Sequence, residues 1–502
     1  MNLGETLRLL SPELILLLTG LVVLCVDFAW QDKASDEAKK ALWVPGIALV
    51  GLGGALIATL LLSGTPQTPV LALMVVDPFA LFFKGIAIGT VGLVILAAVP
   101  YLKGRTPYRG EFYALLIFAG LAICLASSAI DLISIYLSME FLSITSYVLA
   151  GYLRNDKKSN EAGVKYFLYG AVISAVMLYG MSLLYGATGT TNLDGIARGL
   201  FAGDETVQWL AIAAMIPLLA GFGFKIVLAP FHQWAPDTYE GAPTPVTAFL
   251  SVGSKAAGFA ILMRVLLTAM GSNTFRFGIG WMAFLMALSI ISMILGNLIA
   301  LRQTNIKRML AYSSIAQAGY IIIGFISLAL DVESPFLGIN GVLFYLFAYL
   351  FTNLAAFSAV IAFESATGST EIADYRGLIK RSPVIASVLF IALLSLAGVP
   401  GTGGFLGKFF VFGSALQMNL PQTFALALVG IITSVIGAFY YLNVVRYMFF
   451  EAADEGAQPI AVPVGLQVGL MLTAAGILAV GLYPDPFIRL ATNSIQILAA
   501  AF

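Results

Sequence analysis

The sequence predicts an all-α polytopic membrane protein of about fourteen transmembrane helices, and three observations predict it. Hydrophobic residues make up 60% of the chain and charged residues only 10%, with a mean hydropathy of +0.95, outside the range of soluble globular domains. The apolar residues fall into runs of about 20, the length that crosses a hydrocarbon core as a helix. The links between runs are too short to fold as a soluble domain. The net charge of zero leaves no electrostatic footprint for nucleic acid. Cys25 and Cys124 sit inside apolar runs and offer neither a disulfide framework nor a metal site.

The runs follow in order at 11–30, 42–63, 77–99, 112–128, 130–152, 160–186, 208–240, 244–271, 277–301, 305–329, 336–364, 382–418, 422–450 and 462–484. The first opens within the N-terminal "MNLGETLRLLSPE", which lacks a basic start and a small-residue cleavage site, so it reads as a retained helix. The seventh contains "GFGFKIVLAPFHQW", where Pro230 must interrupt a helix just after Lys225. The twelfth contains "LAGVPGTGGFLGKFF", interrupted at Pro400 and its glycines just before Lys408. The string "GTGGFLGK" is not a phosphate loop, because Thr402 stands where the first glycine belongs and Phe409 where Ser or Thr belongs.

The two interruptions lie five helices apart. A repeat of five helices has odd parity, so helices 4–8 and 9–13 must run in opposite directions, and matched breaks in inverted repeats point to a transport site. The expected organisation is residues 1–110 with helices 1–3, residues 111–272 with the first repeat, residues 273–450 with the second, and residues 451–502 with helix 14. Loops after odd-numbered helices carry Lys33, Lys39, Lys40, Lys103, Arg105, Arg109, Arg154, Lys157, Lys158, Arg302, Lys307, Arg308, Arg376, Lys380, Arg381 and Arg446. The other side has only Arg8, Arg198, Arg276 and Arg489, with Arg264 a further candidate. The positive-inside rule then puts the odd loops in the cytoplasm and both termini outside.

Once the loop charges are removed, Lys84, Lys165, Lys225, Lys255, Lys408 and Glu140 remain inside apolar runs. A charge at a helix centre costs about 2.5–3.5 kcal/mol even on the lenient insertion scale, so these are functional candidates by default. Lys84 and Lys165 stand near helix starts and can snorkel to an interface. For Lys84 that is the stronger reading. Glu140, Lys225 and Lys255 stand mid-segment. A structural ion pair is the bland alternative for each, but one acid cannot neutralise several lysines. A lysine moving between an apolar site and a carboxylate can take up and release a proton, which is the chemistry of a relay. Ser313, Gln317 and Tyr320 share a helix face, as do Tyr345, Tyr349 and Asn353. These stripes suit either interhelical hydrogen bonding or a proton-conducting face. His232, the single histidine, suits a cap or a relay step equally.

The stretches "YLSMEFLSITSYVLAGY", "EAGVKYFLYGA", "FGFKIVLAPFHQWAPDTYEGAPTPVTAFLSVGSKAAGF", "NIKRMLAYSSIAQAGY" and "GVPGTGGFLGKFFVF" resemble the antiporter-like membrane subunits of respiratory complex I, NADH-quinone oxidoreductase. The resemblance covers roughly 110–450 and is nearest to the N-type subunits. L-type subunits add a long lateral helix and a terminal span, whereas this sequence stops after helix 14. M-type subunits carry glutamate where Lys408 stands. The resemblance implies a proton relay of Glu140, Lys225, Lys255 and Lys408, with Lys165 tuning the Glu140–Lys225 pair and His232 matching a histidine of the family. It implies a subunit that translocates protons without redox chemistry of its own, coupled to quinone reduction elsewhere. No cofactor or metal is expected on this chain. NADH, flavin, iron–sulfur clusters and quinone belong to other subunits, and a small K-type and an M-type subunit are the expected neighbours in a bacterial plasma membrane. The alternatives are a subunit of a cation/proton antiporter, a ferredoxin- or hydrogenase-linked ion pump, and a structural scaffold with vestigial charges.

Overall fold

In a computed structural model, residues 2–29, 37–270, 280–327, 338–453 and 455–499 are described. Lys33 and Arg276, counted among the loop charges, lie outside them. Helices dominate: α1 (Leu3–Leu9), α2 (Ser11–Ala29), α3 (Glu37–Leu61), α4 (Pro78–Leu102), α5 (Arg109–Ser128), α6 (Leu132–Ala150), α7 (Lys157–Thr188), α8 (Leu193–Ala202), α9 (Glu205–Ile226), α10 (Trp234–Gly241) and α11 (Thr244–Phe249). They continue with α12 (Lys255–Arg264), α13 (Gly280–Ala300), α14 (Ile306–Ile326), α15 (Gly338–Thr367), α16 (Leu378–Arg381), α17 (Pro383–Ala397), α18 (Gly403–Gln417), α19 (Pro421–Phe450), α20 (Val464–Leu482) and α21 (Asp485–Ala499). A small hairpin, β1 (Thr68–Val70) and β2 (Met74–Val76), pairs antiparallel with Thr68 opposite Val76.

Among the described residues thirteen spans are long and apolar enough to cross a membrane, and the shorter apolar helix α17 supplies half of the interrupted twelfth run. The helix starts are set by short polar side chains. Asp77 caps α4 by accepting from Ala80 N at 2.7 Å, and Asp131 caps α6 by accepting from Ile133 N at 2.9 Å. Asn305 caps α14 by accepting from the backbone of Lys307 and Arg308.

The span 244–269, made of α11, α12 and two π-turns, is buried at every residue but Thr268, and α14 and α15 are nearly as buried. The peripheral α2, α3, α7, α19 and α20 leave large apolar side chains exposed, as helices facing lipid do. The polar residues inside the membrane therefore meet around the central span, α14 and α15. The sequence reading did not foresee the hairpin, α8 or the amphipathic α21. Helix α21 is too polar to span, yet it packs on α4 and α15, with Phe487 stacked on Phe347 at 5.4 Å.

Candidate functional site

The first break arises locally. Helix α9 ends at Ile226 because Val227 takes a left-handed conformation (φ 66°), which costs a β-branched residue about 1–2 kcal/mol. Pro230 then has no N–H to continue the ladder. The released backbone groups find protein partners. The Phe224 carbonyl accepts from the Trp234 indole at 3.2 Å, and Ala229 N donates to Ser292 Oγ at 2.9 Å. Trp234 is locked by stacking on Tyr166, with centroids 4.1 Å apart. This satisfies the rule that non-helical backbone at membrane depth survives only when buried in protein.

Lys225 lies two residues before the break and is 3% exposed. Among the described residues its ammonium has no hydrogen-bond partner and no carboxylate lies within 4.0 Å of it. Glu140 on α6 is the acid whose charge acts on it. One carboxylate oxygen of Glu140 is likewise buried without a partner. The structure thus brings the two expected residues into electrostatic reach while leaving the pair open.

Lys255 begins α12 directly after a π-turn (Leu250–Ser254). Its neighbour Gly258 sets the spacing to α9, because a Cβ there would lie 3.0 Å from Lys225 Cβ and 2.6 Å from Ile226 Cγ2. The two lysine-bearing helices therefore touch. Lys255 is fully buried and meets only neutral groups: it donates to Ser314 O at 2.6 Å and Ser314 Oγ at 2.5 Å, and lies 5.4 Å from the centre of the Tyr349 ring. The Tyr349 hydroxyl donates to the same Ser314 Oγ at 3.1 Å.

The second break exposes the end of α17. Gly398 and Gly401 both have φ near 88°, and Gly404 packs so tightly that a Cβ would lie 2.1 Å from Ser395 O. Only glycine fits these positions cheaply. The freed carbonyls of Leu396 and Ala397 accept from Lys408 at 2.7 and 3.2 Å, and Ser434 Oγ accepts at 2.8 Å. Lys408 also stands 5.1 Å over the Tyr320 ring.

Residues of the two polar stripes stand beside both Lys255 and Lys408. Gln317 accepts from the Tyr345 hydroxyl and donates to Leu396 O at 3.2 Å, so Gln317 and Lys408 share one acceptor. Ser313 bonds the Tyr441 hydroxyl, and Tyr320 meets Asn297 at 2.8 Å. Asn353 is in the second stripe, but its amide nitrogen is buried without a partner.

Other residues fall elsewhere. Lys165 is partly exposed and ion-paired with Asp237 at 2.6 Å and Glu161 at 2.7 Å, in a cluster that Arg308 and Glu240 extend, and it makes no ion pair with Glu140. His232 sits half-buried in the turn between α9 and α10, with Nδ1 unpartnered. Two expectations are overturned. Lys84 does not snorkel: it is fully buried and ion-paired with Glu13 at 2.6 Å, because α1 and the hairpin cover the helix end it would have to reach past. Arg264 is not a loop charge but a buried partner of Asp77, at 2.9 and 3.1 Å. Sequence reasoning missed Glu13, Ser314 and the Leu396 carbonyl. Glu13, in "SPEL", was an acid inside the first apolar run and could have been flagged. The other two carry no sequence signal of ionisation.

A family model described as NADH:quinone oxidoreductase/Mrp antiporter, TM matches residues 129–437. NADH-quinone oxidoreductase subunit N of Heliobacterium modesticaldum is 42% identical over 96% of this chain and 98% of its own length. A chain of respiratory complex I from Thermus thermophilus superposes with a TM-score of 0.78 at 30% identity, covering 95% of this chain and 98% of that one. A chain of the Mrp complex from a Dietzia species superposes with a TM-score of 0.82 at 21% identity, over 99% of this chain and 98% of that one, a likeness of fold.

Proposed function

The chain belongs to the NADH:quinone oxidoreductase/Mrp antiporter membrane-subunit family as a relative of subunit N, and we propose that it carries protons along Glu140, Lys225, Lys255 and Lys408. It is a multi-pass membrane subunit whose partners are other subunits of complex I. A small K-type and an M-type subunit are the proposed neighbours.

The observation that carries the reading is the environment of the three lysines. Lys225 is buried without a partner, while Lys255 and Lys408 are held only by neutral oxygens and ring faces. Fixed structural cations would be matched with acids, because an unpaired buried charge is costly. Closing the Glu140–Lys225 pair favours loading of a proton on Lys225. Opening it removes the counter-charge, and the proton passes to Lys255 across the contact at Gly258. Lys255 gives its proton to the Ser314 hydroxyl as that hydroxyl passes its own to water along the polar face of α14, and the same water delivers one proton to Lys408. One proton enters and one leaves at each step. His232 serves as an entry step at the first break, and Lys165, tied to Asp237, tunes the entrance and does not carry.

A path lined by ammonium groups repels metal cations, which favours protons over sodium. Electron transfer, with NADH, flavin, iron–sulfur clusters and quinone, belongs to other subunits, and this chain is the non-redox translocating part of the enzyme. The excess of Lys and Arg in the odd-numbered loops supports an orientation with both termini on the outer side of a bacterial plasma membrane. The deciding experiment measures proton uptake and quinone reduction together in closed vesicles carrying Lys225→Ala in the assembled complex. Loss of pumping with assembly intact is expected, and undiminished pumping would refute the relay.

A further inference from the structure

The first three membrane spans, α2, α3 and α4, lie outside the region that the family model matches, which begins at residue 129. They nonetheless hold a second buried acid–lysine pair, Glu13 on α2 and Lys84 on α4, 2.6 Å apart with side chains 6% and 0% exposed. The small apolar cluster of Leu9, Leu62, Val70 and Val76, with Leu81 packed on it, closes the space beside them.

The same molecule shows what a built structural pair looks like. Arg264 grips Asp77 with two bonds of 2.9 and 3.1 Å, adds two more to Ser127 O, and Asp77 also caps α4. Every side-chain nitrogen and oxygen in that clamp has a partner. Glu13 and Lys84 have no such support. Apart from their single contact, neither carboxylate oxygen nor the ammonium has a hydrogen-bond partner among the described residues. As a clamp such a pair is poor, because desolvation offsets the attraction unless the remaining donors and acceptors are satisfied. A site that must gain and lose a proton benefits from that lack of commitment.

Depth points the same way. The Asp77–Arg264 clamp ties α4 to the end of the central span and serves as a ruler. Lys84 is seven residues from Asp77 and Lys255 nine from Arg264, about 10 and 14 Å at a rise of ~1.5 Å per residue. Both run inward from the same clamp on helices that pack together. The pair therefore lies near the level of the lysine row.

We propose that Glu13 and Lys84 form a proton-binding station that extends the row into the first three membrane spans. With Glu13 ionised and Lys84 protonated the pair is neutral. Binding one proton on the free Glu13 oxygen makes it singly positive, and release restores neutrality. This rests on the reading of the chain as a proton carrier, and the test separates the two.

The test replaces both residues at once, Glu13→Leu with Lys84→Met, in the assembled complex in closed vesicles, alongside Lys225→Ala. Removing both charges leaves no unpaired ion, so a structural pair is replaced at little cost, whereas a proton station is lost. The expected result is an assembled complex with fewer protons moved per electron. A parental proton-to-electron ratio in the double variant would overturn the station, as would failure of that variant to assemble, which would make the pair a building element. Lys225→Ala with an unchanged ratio would instead overturn the relay, whatever the double variant does.

Discussion

Gln317 and Lys408 hydrogen-bond to the same atom, the carbonyl oxygen of Leu396, at 3.2 and 2.7 Å. The acceptor is free because α17 ends there, so the helix break links the polar stripe of α14 to the last lysine. Gln317→Leu should keep the packing but remove this link and the acceptor of Tyr345, at a cost of about 1–3 kcal/mol for the unsatisfied hydroxyl. Proton uptake in vesicles should fall while the complex still purifies intact. Full uptake would mean that protons bypass Gln317.

The open Glu140–Lys225 pair predicts coupling. A double-mutant cycle with Glu140→Gln and Lys225→Ala, read as pumping rate, should be strongly non-additive. The swap Glu140→Lys with Lys225→Glu should rescue assembly more than turnover. Independent losses would show that the two residues do not act as a switch.

Charge retention alone should not rescue the relay. Lys225→Arg keeps a cation, but guanidinium does not release its proton. Pumping by this variant should match that of Lys225→Ala in the same vesicle assay. Parental pumping would make Lys225 a fixed charge.

The clamp between Asp77 and Arg264 should behave as a stability element. Arg264→Met leaves a buried carboxylate unpaired, at a cost of about 3–5 kcal/mol. Thermal unfolding in mild detergent should show a clearly lowered midpoint and a reduced yield of complex. An unchanged midpoint would contradict the assignment.

The loop between α6 and α7 should face the cytoplasm. Asn155, exposed in that loop, can be changed to Cys in a Cys25→Ser background and probed with an impermeant thiol reagent. Labelling is expected in inside-out vesicles alone. Reaction in intact cells would reverse the topology.

The sequence by itself determined the membrane class, most helix boundaries, both interruptions and the row of buried lysines, because lipid imposes its rules residue by residue. Each apolar run must satisfy its own backbone as a helix, a proline or a left-handed turn must break it, and an internal charge stands out against its neighbours. Only the tertiary structure decided partnership. Whether Lys84 reaches water or Glu13, whether Arg264 belongs to a loop or to Asp77, and whether Lys165 faces Glu140 or Asp237 depend on which helices pack side by side. The link through Leu396 was equally hidden, because a backbone carbonyl is the same in every residue until a break in its helix leaves it free to accept.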